Sequence, residues 1–253
     1  MKTSGPTRLA ARKRALGFKM FSATVSCELS PGTSGPKKQG RAWKHIRQQL
    51  RTRLDSAPAI LIDCSYDDLM KQGEIKSRNS QLIFCYATSV KKDVERPLRL
   101  SVVGATASLS DFLQKVQLEG SWSADITTRS LEDLIETGEL SAHRLVYLTA
   151  DAEEEIDTYY SGDTYIIGGL VDRNRHNGIA LRKAQNIGIR TAKLPLHKYC
   201  NLIGSAVLSV NHIFAFMTYL HCGLPFETVA KMVIPQRKLK VVESTTDDSR
   251  SNS

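Results

Sequence analysis

Short apolar runs alternate with longer stretches of helical periodicity from residue 57 onward. The short runs have the length and composition typical of buried strands, and they lie at 59–64, 98–103, 145–149, 165–168 and 191–194. Apolar residues three and four positions apart predict helices in between, one from a cap at Ser65 to about Lys91 and others at 109–118, 130–137, 179–187 and 207–220. Strands that alternate with helices predict an α/β fold built on a mostly parallel sheet.

The first 53 residues differ in composition from the rest of the chain. They contain 13 Lys or Arg side chains against one acid, Glu28, whereas the whole chain has a net charge of +9. Residues 30–36, Ser-Pro-Gly-Thr-Ser-Gly-Pro, break any helix, and residues 41–53 show helical spacing of apolar residues within a basic face. Such a basic arm is typical of proteins that bind a polyanion, most often nucleic acid. A solubilising tail or a targeting segment would have a similar composition.

These changes in composition predict a basic, partly disordered and partly helical extension at 1–53, a folded domain at 54–240 and a disordered tail at 241–253. Residues 1–21 lack acids and fit a mitochondrial presequence in part, but no apolar core of secretory-signal length follows the early charges. No stretch reaches the roughly 20 apolar residues that a membrane helix needs. The five cysteines are scattered without metal-ligand spacing, which indicates reduced core thiols and predicts no metal site.

Residues suited to chemistry are concentrated at 164–178. A run rich in β-branched and aromatic residues ends on Gly168-Gly169, and paired glycines let a backbone approach a ligand closely. A carboxylate, Asp172, and two guanidinium groups, Arg173 and Arg175, follow directly. Because α/β folds place their sites at the carboxyl ends of strands, this pattern predicts a site with a proton acceptor beside cations suited to phosphate. A strand that ends in a glycine turn with a solvated charge run is the alternative.

Several segments, which follow one another in the same order along the chain, resemble those of a known family. They are Leu61-Ile-Asp-Cys-Ser-Tyr-Asp67, Tyr147-Leu-Thr-Ala-Asp151, Tyr165-Ile-Ile-Gly-Gly-Leu-Val-Asp-Arg-Asn-Arg175, Thr191-Ala-Lys-Leu-Pro195, Val207-Leu-Ser-Val-Asn-His-Ile-Phe214 and Ile234-Pro-Gln-Arg-Lys238. Over residues 57–238 the chain resembles the SPOUT-superfamily methyltransferases that modify the purine at position 9 of tRNA, in particular those that methylate guanine N1.

The resemblance implies a SPOUT-type, Rossmann-like α/β domain whose C-terminal part is threaded into a trefoil knot that holds S-adenosylmethionine. It also implies that Asp172 is the general base. The positions that match cofactor-binding residues of the family are Leu148, Gly168, Asp172, Arg173, Asn174, Arg175, His176, Ala180, Leu194, Ala206, Val207 and Leu208.

The implied reaction explains why these residue types would be needed. Guanine N1 carries a proton at neutral pH, so methyl transfer gains from a base, here Asp172, held within about 3 Å of N1. Arg173 and Arg175 could bind tRNA phosphate or orient the base, and Asn174 could hydrogen-bond the ribose or base edge. The basic extension suits a tRNA partner, because phosphate contacts dominate nucleic-acid affinity. We further expect a monomer of the nucleus or cytoplasm with no membrane partner.

Three other interpretations stay open. A mitochondrial member of the family could act on guanine or adenine within a multi-subunit tRNA-processing complex, and adenine N1 is unprotonated at pH 7 and needs no base. A non-catalytic RNA-binding protein could keep the fold, although Gly168, Gly169 and Asp172 argue against it. A dinucleotide-binding oxidoreductase would need a Gly-x-Gly-x-x-Gly after an early strand, which the chain lacks.

Overall fold

The computed structural model describes residues 48–120, 124–173, 175–203 and 207–239. The strands within these ranges are β1 (Ala59–Asp63), β2 (Arg99–Val103), β3 (Asp125–Ile126), β4 (Leu145–Leu148), β5 (Thr164–Gly168) and β6 (Arg190–Ala192). They form one six-stranded sheet in the order β3-β2-β1-β5-β4-β6, and every neighbouring pair is parallel. This confirms the predicted α/β class, and the five predicted strands lie within two residues of their expected ends.

Helices connect these strands and cover both faces of the sheet. They are α1 (Gln72–Ser89), α2 (Ala107–Gly120), α3 (Leu131–Glu136), α4 (Ile179–Asn186), α5 (Leu196–Tyr199), α6 (Val210–His221) and α7 (Phe226–Val233). Short 3-10 helices occur at Asp67–Leu69, Ala142–Arg144 and Gln236–Lys238. None of the described helices has the length and apolar character to cross a membrane.

Two predicted helix starts are wrong. The first helix begins at Gln72 instead of near Ser65, because the Ser65 hydroxyl donates to the Asp63 carboxylate at 2.7 Å and caps no helix. Helix α1 begins where the Glu74 carboxylate accepts a hydrogen bond from the Lys71 backbone N–H at 2.8 Å. Helix α6 begins at Val210 instead of residue 207. The short strand β3 and the one-turn helix α5 were not predicted, since each is too short to show a clear period. Helix α7 was also not predicted, although it is as long as α4.

Side chains that alternate along the strands build one core on each face of the sheet. Ile60, Ile62 and Val146 belong to the larger core, which includes residues of α1, α2, α6 and α7. Leu61 and Ile166 point into the smaller core, which α3 and α4 cover. Helix α6 was predicted to be amphipathic, but the structure buries eight of its twelve residues. Helix α6 contacts β5 of the sheet, and helices α1 and α7 also pack against it.

The chain enters the domain through a helical segment at residues 48–55. Leu54 is 1% exposed and belongs to the larger core, and the Arg53 guanidinium donates to the carbonyl of Val94. Residues 48–53 are therefore helical as expected. The rest of the predicted extension, including the linker at 30–36, and the predicted tail at 241–253 lie outside the described residues.

Candidate active site at the carboxyl end of the sheet

The centre of the sheet brings three strand ends together. Asp63 at the end of β1 is paired in register with Gly168 at the end of β5, and Leu148 at the end of β4 is paired with Ile167. From β1 the chain builds β2 and β3 on one side of the sheet, and the later strands β5, β4 and β6 lie on the other side. The direction in which strands are added therefore reverses between β1 and β5. Open parallel sheets bind ligands at such a switch point, beyond the carboxyl ends of their strands.

The turn after β5 requires a glycine at position 169. The Gly169 N–H donates to the Asp63 carbonyl at 2.7 Å, so the two backbones are in direct contact. A Cβ at this position would lie 2.8 Å from the Asp63 carbonyl oxygen and 3.0 Å from the Cys64 sulfur. At Gly168 an added Cβ would meet the Tyr147 hydroxyl at 3.3 Å, which a small movement of that side chain could relieve. Gly169, and not Gly168, is therefore the glycine that permits the close approach of backbone to backbone.

Residues 169–178, here called the reactive loop, carry Asp172 into the centre of the site. Asp172 is 9% exposed, and its carboxylate accepts a hydrogen bond from the His176 backbone N–H at 2.7 Å. Near the end of the loop, the N–H of Gly178 donates to the Asp151 carboxylate at 3.0 Å. Gly178 has φ +71°, a left-handed conformation that suits glycine at the start of α4. Two carboxylates thus accept hydrogen bonds from backbone amides of this loop.

The two arginines of the loop have different environments. Arg173 is exposed and has φ +54°, which is uncommon for a residue with a side chain. Arg175 donates to Glu74 at 2.6 Å and to the carbonyl of Leu69 at 3.4 Å, so its guanidinium joins the loop to the start of α1. Neither side chain lines the cavity described next. The sequence pattern did not reveal the ion pair of Arg175, because Glu74 lies about a hundred residues earlier.

A cavity of about 610 Å³ opens at the ends of β4 and β5. Eight of the residues predicted to bind a cofactor line it: Leu148, Gly168, Asp172, His176, Ala180, Leu194, Val207 and Leu208. Two others, Asn174 and Ala206, lie outside the described residues. Its volume lies within the range of about 300–1,000 Å³ that is typical of small-molecule sites. The structure therefore brings together most of the residues that the resemblance selected.

Other lining residues were not predicted. They come from the ends of β4 and β6, from the reactive loop, from α4 and from the segment around α5 and α6, and they are Thr149, Ala150, Asp151, Ile167, Leu170, Asn177, Ile179, Ala192, Lys193, Leu196, His197, Cys200, Asn201, Leu202, Val210 and Ile213. Their position at the carboxyl ends of predicted strands was a usable signal for Thr149 and Lys193. Residues of α5 gave no such signal, because that helix has a single turn.

A buried polar cluster lies beside the glycine turn, around Asp63. Its carboxylate accepts hydrogen bonds from Tyr147 at 3.0 Å and from Lys183 at 2.7 Å, and Asp63 is fully buried. The Tyr147 hydroxyl also lies 2.8 Å from that of Tyr66. Burial, reinforced by the nearby Asp63 charge, holds the pKa of both phenols above the usual range, so both stay protonated.

The two histidines of α6, His212 and His221, lie outside this site. Burial lowers the pKa of His212 and of His221, and neither lines the cavity, whereas His197 does. His221 packs against Tyr159 with ring centroids 4.5 Å apart. Among the described residues, no group of three His, Cys, Asp or Glu side chains is arranged to bind a metal ion.

Sequence comparisons identify related proteins. A model of the family described as tRNA (guanine(9)-N(1))-methyltransferase TRM10/TRM10A matches residues 21–239. The tRNA (guanine(9)-N1)-methyltransferase of Schizosaccharomyces pombe is 34% identical over 226 residues, which cover 86% of this chain and 70% of the relative. The Kluyveromyces lactis protein of the same name is 33% identical over 199 residues, 79% of this chain. The chain spans 64% of the length of that K. lactis relative, somewhat less than two thirds.

Solved structures show the same fold. The crystal structure of full-length spTrm10 in complex with SAH is 30% identical, with a TM-score of 0.61 over 71% of this chain and 97% of that chain. A dual-specific Trm10 protein from Thermococcus kodakaraensis is 19% identical, with a TM-score of 0.51 over 70% of this chain and 99% of that chain. The second likeness, at this identity, concerns the fold alone.

Proposed function

This chain belongs to the tRNA (guanine(9)-N(1))-methyltransferase TRM10/TRM10A family, and we propose that it methylates N1 of guanine 9 in tRNA with S-adenosylmethionine. The observation that carries the proposal is the cavity at the ends of β4 and β5, with the carboxylate of Asp172 in its wall. The full-length spTrm10 structure, which is 30% identical, holds the demethylated product SAH. Activity, substrate and cofactor are therefore proposed together.

The cavity wall fits S-adenosylmethionine in size and chemistry. Leu148, Leu194 and Leu208 supply apolar surface, and Gly168 lies in the wall at the end of β5. We assign cofactor binding to the predicted residues that line the cavity, Leu148, Gly168, Asp172, His176, Ala180, Leu194, Val207 and Leu208, and to Asn174 and Ala206 from the same predicted set. When bound, the cofactor would supply an electrophilic methyl group on its sulfonium. The residues of this chain would then orient the guanine and remove its proton.

Asp172 is the proposed general base. As N1 of guanine gains the methyl group, its proton passes to the Asp172 carboxylate. The methylated guanine is therefore neutral, and the carboxylate becomes a neutral carboxylic acid. The backbone N–H of His176 holds this carboxylate at 2.7 Å, and burial shields it from water. Arg173 is exposed next to it and is available to a tRNA phosphate. Arg175 is engaged with Glu74 and would act by fixing the loop.

The finer organisation of the chain forms part of the same proposal. We propose that the C-terminal part of the domain forms a trefoil knot, that residues 1–53 are a tRNA-binding extension, and that residues 54–240 are the catalytic domain. The tail at 241–253 would be dispensable. The protein would act as a monomer in the nucleus or cytoplasm. The basic composition of the extension supports its assignment, and the parallel sheet supports that of the domain.

Cofactor binding tests this proposal. We expect the purified chain to bind S-adenosylhomocysteine in isothermal titration calorimetry with one site, and the affinity to be the same in EDTA and in Mg²⁺. The physical reason is that S-adenosylhomocysteine carries no phosphate or other group that needs a metal ion, so apolar contacts and hydrogen bonds from the cavity wall can bind it. A chain that binds no S-adenosylhomocysteine, or binds it only with Mg²⁺, would contradict the proposed cofactor site.

Removal of the basic arm is expected to separate the two ligands. A variant that lacks residues 1–45 loses ten basic side chains and one acid but keeps the helical segment at 48–55. We expect tRNA affinity to fall strongly and cofactor affinity to stay the same, because phosphate contacts supply most of nucleic-acid affinity and the cavity lies beyond residue 147. Filter binding at several salt concentrations would measure the first, and calorimetry the second.

Removal of residues 241–253 is the matched control, since this segment has three acids and one arginine. It should leave tRNA affinity nearly unchanged. An arm deletion that reduces both affinities equally would show instead that the arm supports the fold.

A further inference from the structure

A partly buried ion pair joins α4, which follows the reactive loop, to β1, which lies beside β5. The Lys183 ammonium lies 2.7 Å from the carboxylate of Asp63, and their side chains are 16% and 1% exposed. Lys183 is in α4, one helical turn after Ile179 and Ala180, which line the cavity. Asp63 is at the end of β1, 120 residues earlier. The pair therefore fixes the helix that follows the loop to the strand beside the one that precedes it.

The same aspartate also holds the start of the loop. Its backbone carbonyl accepts the Gly169 N–H at 2.7 Å, while its carboxylate accepts from Lys183 at the far end. All of the reactive loop, including Asp172, lies between these two attachments. A loop of ten residues that is held at both ends by one residue has fewer conformations than one held at a single end.

The surrounding hydrogen bonds determine where the ammonium can lie. Ser65 donates to the Asp63 carboxylate and accepts from Lys183, each at 2.7 Å, so the three side chains form a closed triangle. The Tyr147 hydroxyl donates to the same carboxylate at 3.0 Å. The Tyr66 ring faces the ammonium at 5.4 Å, and the partly exposed Glu132 lies 3.8 Å from it. With these partners the carboxylate of Asp63 has well-defined geometry despite its burial.

We propose that Lys183 is a positioning residue for methyl transfer. By pairing with Asp63 it holds the reactive loop in the conformation that places Asp172 in the cavity wall, and it touches neither cofactor nor guanine. This inference rests on the proposed function for its catalytic consequence. The pair of Asp63 and Lys183, here called the clasp, is itself a property of the ligand-free protein. Lys183 is absent from the cavity lining, which is consistent with an action through the loop.

Two variants distinguish positioning from simple burial of charge. Lys183→Met removes the ammonium and leaves a lone buried carboxylate, so we expect it to lower stability, to weaken S-adenosylhomocysteine binding and to reduce the single-turnover rate by about 10²-fold. In Asp63→Asn/Lys183→Met the lone charge is absent, so the unfolding midpoint should return toward that of the wild type. The clasp is still missing, so affinity and rate should stay low. If the single variant fails to fold, the double variant carries the test.

Hydrogen exchange of the ligand-free proteins reports on the loop directly. In both variants the amides of Gly169 and Gly178, which are hydrogen-bonded in the structure, should exchange faster than in the wild type. Lys231→Met is the matched control: it removes the same group from an exposed pair with Glu227, 2.7 Å away in α7, and should leave loop exchange unchanged.

Three outcomes decide the matter. Wild-type exchange of the loop amides in Lys183→Met would overturn the proposal. Recovery of both stability and rate in the double variant would also overturn it, because buried charge alone would then explain the single variant. If the wild type binds no S-adenosylhomocysteine while loop exchange still rises in both variants, the proposed function fails and the clasp is supported.

Discussion

Replacement of Asp172 with asparagine is expected to lower the single-turnover rate of guanine-9 methylation by about 10²–10⁴-fold, the usual contribution of general-base catalysis. The amide cannot take the N1 proton. Its oxygen can still accept the His176 N–H that the carboxylate accepts at 2.7 Å, so the loop should keep its shape. Affinities for S-adenosylhomocysteine and tRNA should therefore change little. Rapid-quench measurements with enzyme in excess over tRNA would give the single-turnover rate of each protein.

Asp151→Asn provides the matched control for this result. Asp151 also lines the cavity and also accepts a hydrogen bond from the loop, from Gly178 at 3.0 Å. Its substitution should cost much less than that of Asp172. Equal losses in the two variants would show that Asp172 only shapes the loop.

Gly169→Ala is expected to destabilise the protein by about 1–3 kcal/mol, as overpacking of a filled interior does. The new methyl group would lie 2.8 Å from the Asp63 carbonyl oxygen, which is backbone within β1 and cannot move without its strand. The strain should open the contact between the turn and β1, so affinity for S-adenosylhomocysteine should fall as well. Chemical denaturation and calorimetry would measure the two effects.

Two other glycines calibrate this experiment. At Gly162 an added Cβ meets nothing within 4 Å, so Gly162→Ala should be nearly neutral for stability and affinity. At Gly168 the nearest atom is the Tyr147 hydroxyl at 3.3 Å, which a side-chain adjustment can relieve, so the loss of stability should be intermediate. If Gly169→Ala proves as stable as Gly162→Ala, the close contact between the turn and β1 is not a requirement of the fold.

The local part of this architecture could be predicted from the chain, because apolar periodicity and glycine placement depend on near neighbours. The strands that end at Asp63 and Gly168 were found in this way, and so was the position of Asp172 just beyond the glycine turn. The carboxyl ends of parallel strands lie at one edge of a sheet, which is why residues 164–178 were expected to form a site. The resemblance to a family supplied the remaining cofactor positions.

Contacts between distant segments could not be predicted, because periodicity identifies a face but not its partner. The pairing of Arg175 with Glu74 and that of Lys183 with Asp63 each join residues about a hundred positions apart. The apolar spacing at 207–220 predicted helix α6, but it did not show that α1 and α7 pack against this helix. Val210 begins that helix with its N–H donated to the Gln81 side chain at 3.0 Å, which local pattern again could not show.

The central claim is that this chain methylates N1 of guanine 9, and identification of the product tests it most directly. An unmodified tRNA with guanine at position 9 would be incubated with the purified chain and methyl-labelled S-adenosylmethionine, then digested and analysed by mass spectrometry. We predict one labelled 1-methylguanosine, located at position 9, and none in a matched tRNA that carries cytosine there. Label at another position, label as 1-methyladenosine, or no label despite bound cofactor would contradict the account.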